Sequence, residues 1–248
     1  MVYSSPQIKG KKFSYLVFPL LEKYDFLISG FVNKNRKFNF SDLKRFLAKQ
    51  LGKDFKLAIP RQNHSNKILA IRKKGDLKLL KKDSFDGVLT NLKNIFLCVQ
   101  VADCVPLFMV DHKRKVAGII HCGWRGALLN IAQESIARMV KFFKSNPQDI
   151  TLVLGPFIQS CCYKISSSVA ILFSRDCLKK DKDGIKLDLG KVLVKQFIES
   201  GVKRRNISIS KECTFCNQDK YYSYRREKDK SKRMIGFIGI KKIKAFFY

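Results

Sequence analysis

Histidine is scarce in this chain: three in 248 residues, at positions 64, 112 and 121. Acidic residues are few as well, 20 against 50 basic ones, which leaves a formal net charge of +30. No apolar run reaches the ~18 residues that a membrane-spanning helix needs. There is no internal repeat of the kind that builds solenoids or propellers. Low-complexity tracts and long linkers are missing too, and 14 glycines with 6 prolines exclude collagen-like composition.

What is present is a folding chain, with hydrophobic residues at 46%, too many for wholesale disorder. A chain of this length buries roughly 70–75% of its unfolded surface and needs no disulfide staples. Eight cysteines (98, 104, 122, 161, 162, 177, 213 and 216) are irregularly spaced, and several lie inside apolar runs. That is not the framework of a small secreted domain, and reduced thiols in a cytoplasm are the expectation. Lys9, Lys11 and Lys12 precede the apolar run Phe13–Leu21, as in a signal peptide, but no small-residue cleavage site follows. A buried strand is expected there instead. The positive charge favours polyanions through the field alone. Its spread along the chain, and the Glu227 and Asp229 within the densest stretch Arg225–Arg233, favour a solvated basic surface over a nucleic-acid interface.

Apolar, β-branched runs predict strands over residues 13–18, 26–31, 57–59, 95–101, 107–110, 116–121, 150–154, 206–210 and 234–240. Ser41 is placed to cap a helix with the stripe Leu43, Phe46, Leu47 and Leu51, closed by Gly52. Helical spacing also predicts a helix over 126–143, one beginning near Ser166 and one over 187–200 stopped by Gly201. The irregular alternation of strands and helices predicts an α/β fold, a single domain with mixed β-sheets flanked by helices.

Polar, ligand-capable residues at strand ends are where such a fold builds a site. His64 follows a strand and a proline, Cys104 interrupts an apolar stretch, and His121 ends a strand before Cys122-Gly123-Trp124-Arg125-Gly126. Together His64, Cys104 and His121 offer zinc three ligands and an open fourth position, the arrangement of catalytic zinc. Two strand-end histidines and a buried thiol are the plainer alternative. Arg125 and Gly126 at a helix start could attract phosphate, or simply make a tight turn with a solvated arginine. Cys213-Thr-Phe-Cys216 has metal or redox spacing; lacking a second pair at zinc-ribbon distance, with Cys161 and Cys162 adjacent, it reads first as structural or buried thiols. Tyr222-Ser-Tyr-Arg-Arg226 could stack a base and bind phosphate, or be a strand with a wet face. His112 sits in a charged turn and reads as surface.

The runs Gln62-Asn-His64, Phe85-Asp-Gly-Val-Leu-Thr90, Val101-Ala-Asp-Cys104-Val-Pro106, His121-Cys-Gly-Trp-Arg-Gly126, Leu154-Gly-Pro156, Cys161-Cys-Tyr163, Cys213-Thr214 and Tyr222-Ser-Tyr-Arg-Arg226 resemble, in this order, the laccase-domain family. That family is also labelled polyphenol oxidase, purine nucleoside phosphorylase or peptidoglycan-editing factor. The resemblance covers roughly residues 13 to 240. It implies one catalytic domain over 13–248 after an extension over 1–12, with Zn2+ held by His64, Cys104 and His121. It implies phosphorolysis of adenosine, inosine, guanosine and methylthioadenosine, with adenosine deamination beside it. Purine nucleosides and phosphate are then the partners. Arg125 would bind phosphate or stabilise developing charge, and Asp103 would orient a ligand or move a proton. A peptidoglycan-precursor amidase using Cys104 and His121, or the zinc, is the alternative, and a basic anion-binding protein a weaker one. The chain departs from the family at Ser29–Lys34, where His-Gly-Phe followed by an arginine and a glycine-rich loop is usual, and at Lys232, where a glycine is common. Three histidines cannot supply a histidine-rich copper cluster plus a further copper site, so copper-dependent oxidation is not expected.

Overall fold

The β-branched and aromatic runs that read as strands form two large sheets. The structure is a computed structural model that describes residues 2–3, 7–9, 14–35 and 37–242. Its strands are β1 (Val2–Tyr3), β2 (Gln7–Lys9), β3 (Ser14–Leu16), β4 (Leu27–Val32), β5 (Lys56–Ala58), β6 (Ile68–Ile71), β7 (Gly87–Thr90), β8 (Ile95–Val101), β9 (Val105–Asp111), β10 (Val116–Cys122), β11 (Ile150–Leu154), β12 (Leu178–Asp181), β13 (Gly184–Leu187), β14 (Ile207–Ser210) and β15 (Met234–Ile240). The helices are α1 (Pro19–Glu22), α2 (Phe40–Leu51), α3 (Leu79–Lys82), α4 (Trp124–Leu128), α5 (Ile131–Phe143), α6 (Ser167–Ala170), α7 (Leu189–Glu199) and α8 (Tyr224–Glu227).

A seven-stranded mixed sheet runs β1-β14-β11-β9-β10-β7-β6, and a six-stranded mixed sheet runs β2-β3-β4-β15-β8-β5. β12 and β13 make a separate antiparallel hairpin. Side-chain alternation builds the layers. On β9 and β10, Leu107, Met109 and Ile120 pack with Met139 of α5 and Leu193 and Phe197 of α7. Their neighbours Phe108, Val110 and Ile119 face the other way, onto Leu97, Val99 and Ile238 of the second sheet. Phe96 and Phe237 on the outer face of that sheet pack under Leu43 and Leu47 of α2. The order is therefore helix, sheet, sheet, helix. Strands buried on both faces read as continuous apolar runs, which is why the centre of the chain was legible. Gly236 allows the close approach of the sheets: a Cβ there would meet Ile119 at 3.0 Å.

The structure differs from the sequence expectation in several places. The helix expected over 126–143 is two helices, α4 and α5, separated at Asn130, whose φ of 58° is left-handed. The cap of α2 is Asn39 rather than Ser41; its side chain accepts from the amides of Ser41 and Asp42, and Asp42 answers onto the Asn39 amide. The helix beginning near Ser166 is a single turn, α6. Residues 224–227 form α8 rather than a strand, because Ser223 caps them through the Arg226 amide. Strands β6 and β7 and the β12–β13 hairpin were not anticipated. Residues 2–3 and 7–9 of the expected extension form edge strands on the two sheets. Phe13 and residues 243–248, included in the expected strand and domain, lie outside the described residues.

Candidate metal centre and its cleft

Three neighbouring strands bring the centre together at one end of the seven-stranded sheet. β9 and β10 are antiparallel, with His121 opposite Pro106 and Cys122 opposite Val105. Cys104, one residue ahead of β9, therefore lies beside the end of β10 that carries His121. β7 pairs with the other edge of β10, and the His121 amide donates to the Asp86 carbonyl at 2.7 Å. His64 arrives from the loop between β5 and β6, in a left-handed conformation with φ of 62°. Ring nitrogens of His64 and His121 and the sulfur of Cys104 all lie within 4.8 Å of one another. The two imidazoles meet edge to face at 4.7 Å between centroids.

Asp86, a residue of the run Phe85–Thr90 that carries no ligand of its own, holds this arrangement. Its carboxylate is fully buried and lies 2.8 Å from Nδ1 of His121. It also accepts from the amides of His64 at 3.0 Å and Ser65 at 2.6 Å, and from the Ser65 hydroxyl at 2.8 Å. Burial opposes its charge, but the partners His121 and Ser65 hold its carboxyl below the usual range. With Nδ1 held by Asp86, Nε2 is the atom that His121, once deprotonated there, offers to a metal.

The donor set fits a metal ion. Two imidazoles and a thiolate suit zinc, and the clustered ligand atoms leave room for a further ligand. Gly123 is part of the fit: a Cβ there would lie 3.0 Å from both Cys104 Sγ and His64 Nδ1. Burial alone would push the Cys104 thiol up, yet His121 and His64 beside it bring it down to about 6. Burial would likewise lower His121, but Cys104 and Asp86 raise it to about 9. Without a cation, the pair holds thiolate against imidazolium.

The centre opens into a cleft of about 860 Å³. Five cationic side chains, Arg61, Arg125, Arg225, Lys228 and Arg233, line it, against Asp103 and Asp229. Three of the guanidiniums rest on aromatic rings: Arg125 on Trp124 at 4.6 Å, Arg225 on Tyr163 at 5.4 Å and Arg233 on Tyr224 at 5.7 Å. The stretch Arg225–Arg233, expected as solvated surface, thus supplies three of the five cations of the cleft. Arg125 is the second residue of the five-residue α4 rather than the start of a long helix. Asp103 has a left-handed φ of 85°, and its carboxylate is fully engaged. It accepts from Thr214 Oγ1 at 2.6 Å, Ser223 Oγ at 2.9 Å and the Arg225 amide at 2.7 Å. His112 is on the surface, stacked on Tyr24 at 5.7 Å, far from the centre in role and partners. Lys34, in the segment that departs from the family, donates to the Gln218 carbonyl at 2.8 Å.

Fold and site define a single-domain α/β protein with three residues that could hold a metal ion in a cationic cleft. Residues 22–241 match the family described as multi-copper polyphenol oxidoreductase laccase, and the chain belongs to that family. It is 37% identical over 163 residues to a Bacillus subtilis protein named purine nucleoside phosphorylase YlmD, covering 63% of this chain and 59% of that one. It is 33% identical over 188 residues to a purine nucleoside phosphorylase of Aquifex aeolicus, covering 74% and 82%. To mouse purine nucleoside phosphorylase LACC1 it is 28% identical over 187 residues, 72% of this chain and 42% of that protein. The match thus spans less than two thirds of the Bacillus subtilis and mouse proteins. Among solved structures, a Bacillus licheniformis hypothetical protein YfiH superposes with a TM-score of 0.81 at 26% identity, over 95% of this chain and 99% of that one. YlmD from Geobacillus stearothermophilus shares the fold, with a TM-score of 0.81 at 23% identity over 96% and 100% of the two chains.

Proposed function

We propose that this chain is a purine nucleoside phosphorylase acting in the cleft around His64, Cys104 and His121, with zinc as its metal and adenosine deamination as a second activity. Adenosine, inosine, guanosine and methylthioadenosine are its substrates. The observation that carries this reading is the convergence of three metal-ligand atoms within 4.8 Å on a cleft of about 860 Å³ lined by five cations. That volume suits a nucleoside and an anion together. The names of the relatives support phosphorolysis as the reaction.

In phosphorolysis a phosphate oxygen forms a bond to ribose C1′, the C1′–N9 bond breaks, and the purine leaves with that electron pair and takes up a proton. Arg125 and Arg225 bind the phosphate, whose oxygens match the planar guanidinium fork. Their seats on Trp124 and Tyr163 restrict them before substrate arrives, so less side-chain entropy is lost on binding. Asp103 is a positioning residue: through the Arg225 amide and the Ser223 hydroxyl it sets the start of α8 and hence Arg225. Zinc at the three ligands would supply Lewis acidity beside the reacting atoms. In deamination, water replaces the 6-amino group of adenosine, giving inosine and ammonia.

One observation favours a second reading. Cys104, His121 and Asp86 also form a nucleophile, base and carboxylate in sequence, the constellation of thiol-dependent acyl transfer, which fits a peptidoglycan-precursor amidase. Product analysis separates the two. Metal-analysed protein is incubated with adenosine, with and without phosphate, and adenine, inosine and hypoxanthine are resolved. The phosphorylase reading expects phosphate-dependent adenine, abolished in His64→Ala. No purine product from protein carrying stoichiometric zinc would sink it and move the amidase reading first.

A further inference from the structure

A second group of metal-ligand residues lies outside the centre. Cys161, Cys162, Cys213 and Cys216 bring their four sulfurs within 4.8 Å of one another. The adjacent pair sits on a turn after β11, where the amides of Cys162 and Tyr163 both donate to the Gln159 carbonyl, at 2.9 and 3.0 Å. Cys213 follows β14 and forms a parallel bridge with Phe157, and the Thr214 amide donates to the Phe157 carbonyl at 3.1 Å. The turn that returns Cys216 is closed by the Asn217 amide on the Cys213 carbonyl at 3.1 Å. Two loops more than fifty residues apart in sequence are therefore joined by the Phe157–Cys213 bridge and bring their four thiols together beside it.

The spacing matches a single tetrahedral ion. A Zn–S bond of about 2.3 Å places the four sulfurs of a tetrahedron about 3.8 Å apart. Cys216 Sγ lies 3.7 Å from Cys161 Sγ and 3.3 Å from Cys162 Sγ. A disulfide needs about 2.05 Å. The Gln159 amide points at Cys213 Sγ at 3.4 Å, the kind of N–H donation that orients a thiolate ligand. Four thiolates and one divalent ion carry a net charge of −2. The adjoining groove offers Lys179, Lys186, Lys191, Lys211 and Arg204 against Asp181 and Asp188.

We propose that Cys161, Cys162, Cys213 and Cys216 hold one zinc ion in a closed tetrathiolate site, separate from the centre at His64, Cys104 and His121. On binding, four thiols release their protons and four sulfur–zinc bonds form, with no change of oxidation state. The ion clasps the two loops that shape the cleft. Cys162 is followed by Tyr163, on which Arg225 rests. Cys213 is followed by Thr214, which donates to Asp103 beside Cys104, and Arg226 donates to the carbonyls of Thr214 and Phe215 inside the Cys213–Cys216 turn.

The test begins with zinc counted per chain in the full-length protein. Wild type holds two zinc ions, and the double variant His64→Ala/His121→Ala keeps one. X-ray absorption at the zinc edge of that variant shows only sulfur neighbours, four of them at about 2.3 Å. This arm leaves every cysteine of the proposed site in place, so it does not depend on a cysteine variant folding. Cys161→Ser/Cys216→Ser loses the same ion and keeps the one at the histidine centre. No zinc in the histidine variant, nitrogen in its first shell, iron in place of zinc, or a disulfide among the four cysteines in the native mass would overturn the proposal. It stands independently of phosphorolysis, because the ion is counted whether or not any nucleoside reacts.

Discussion

Asp86 fixes His121 and the His64 loop with one carboxylate, so its removal should act on the metal before it acts on the fold. Asp86→Asn is expected to weaken metal binding on the order of 10–100-fold, measured by chelator competition. Unchanged affinity would show that the histidines are oriented by something else. Gly123→Ala tests the cradle from the other side. The φ of −91° accepts alanine, but the new Cβ would crowd Cys104 and His64. The variant should fold, by circular dichroism, and lose most of its metal. Proton linkage gives a third expectation. The charges around the pair bring Cys104 down to about 6 and His121 up to about 9, so the metal-stripped protein is expected to hold one proton on the imidazole between those values. A metal must displace that proton, and its affinity should rise about tenfold per pH unit across the interval. Alkylation of Cys104 in the stripped protein should show its midpoint near pH 6, and zinc should protect it. A midpoint at the ordinary thiol value would contradict the pairing. At this scale the sequence was informative about ligands and silent about their support. His64, Cys104 and His121 could be named because ligand chemistry is a property of residue type. Asp86 could not, because a carboxylate ahead of a strand looks the same whether it is solvated or buried against an imidazole.

Among the elements, the break between α4 and α5 is the clearest case of tertiary context overriding pattern. Apolar spacing runs unbroken through residues 126–143, yet Asn130 leaves the helix and its side-chain oxygen accepts from Gln196 Nε2 of α7 at 3.1 Å. That amide also donates to the Ala127 carbonyl at 2.7 Å, capping the short helix from a neighbour distant in sequence. Asn130→Ala, which keeps the strained φ and loses the Gln196 contact, should cost about 1–2 kcal/mol by denaturant unfolding. Asn130→Gly should cost less, since glycine accepts the left-handed region. Equal losses would assign the break to the hydrogen bonds alone. The central strands were legible because burial on both faces leaves an apolar run with no polar interruption. β6, β7 and the β12–β13 hairpin were not. β6 and β7 are four residues long and flanked by charge, and the polar β12 exposes most of its length. Residues 224–227 form α8 because Ser223 caps them and Asp103, over a hundred residues away, binds the Ser223 hydroxyl and the Arg225 amide.

The whole molecule carries a charge of +30, and five cations against two carboxylates line the cleft at the centre. Such a cleft focuses the field and raises the local concentration of an anion. The specificity constant for phosphate should therefore fall steadily as salt is added above ~0.1 M, as screening shortens to ~10 Å or less. A rate indifferent to salt would return the charge to a solubilising role. Stacking of two sheets between helix layers places the ends of β7, β9 and β10 at the floor of that cleft, so distant sequence segments become one centre. Among the described residues no helix is long and apolar enough to cross a membrane. The measurement that bears most directly on the account is base release from inosine as a function of phosphate concentration, made on wild type and on His121→Ala. Hypoxanthine and ribose 1-phosphate should appear in equal amounts, saturate with phosphate, and vanish in the variant. Base release that ignores phosphate, or survives loss of His121, would contradict the assignment of phosphorolysis to this metal centre.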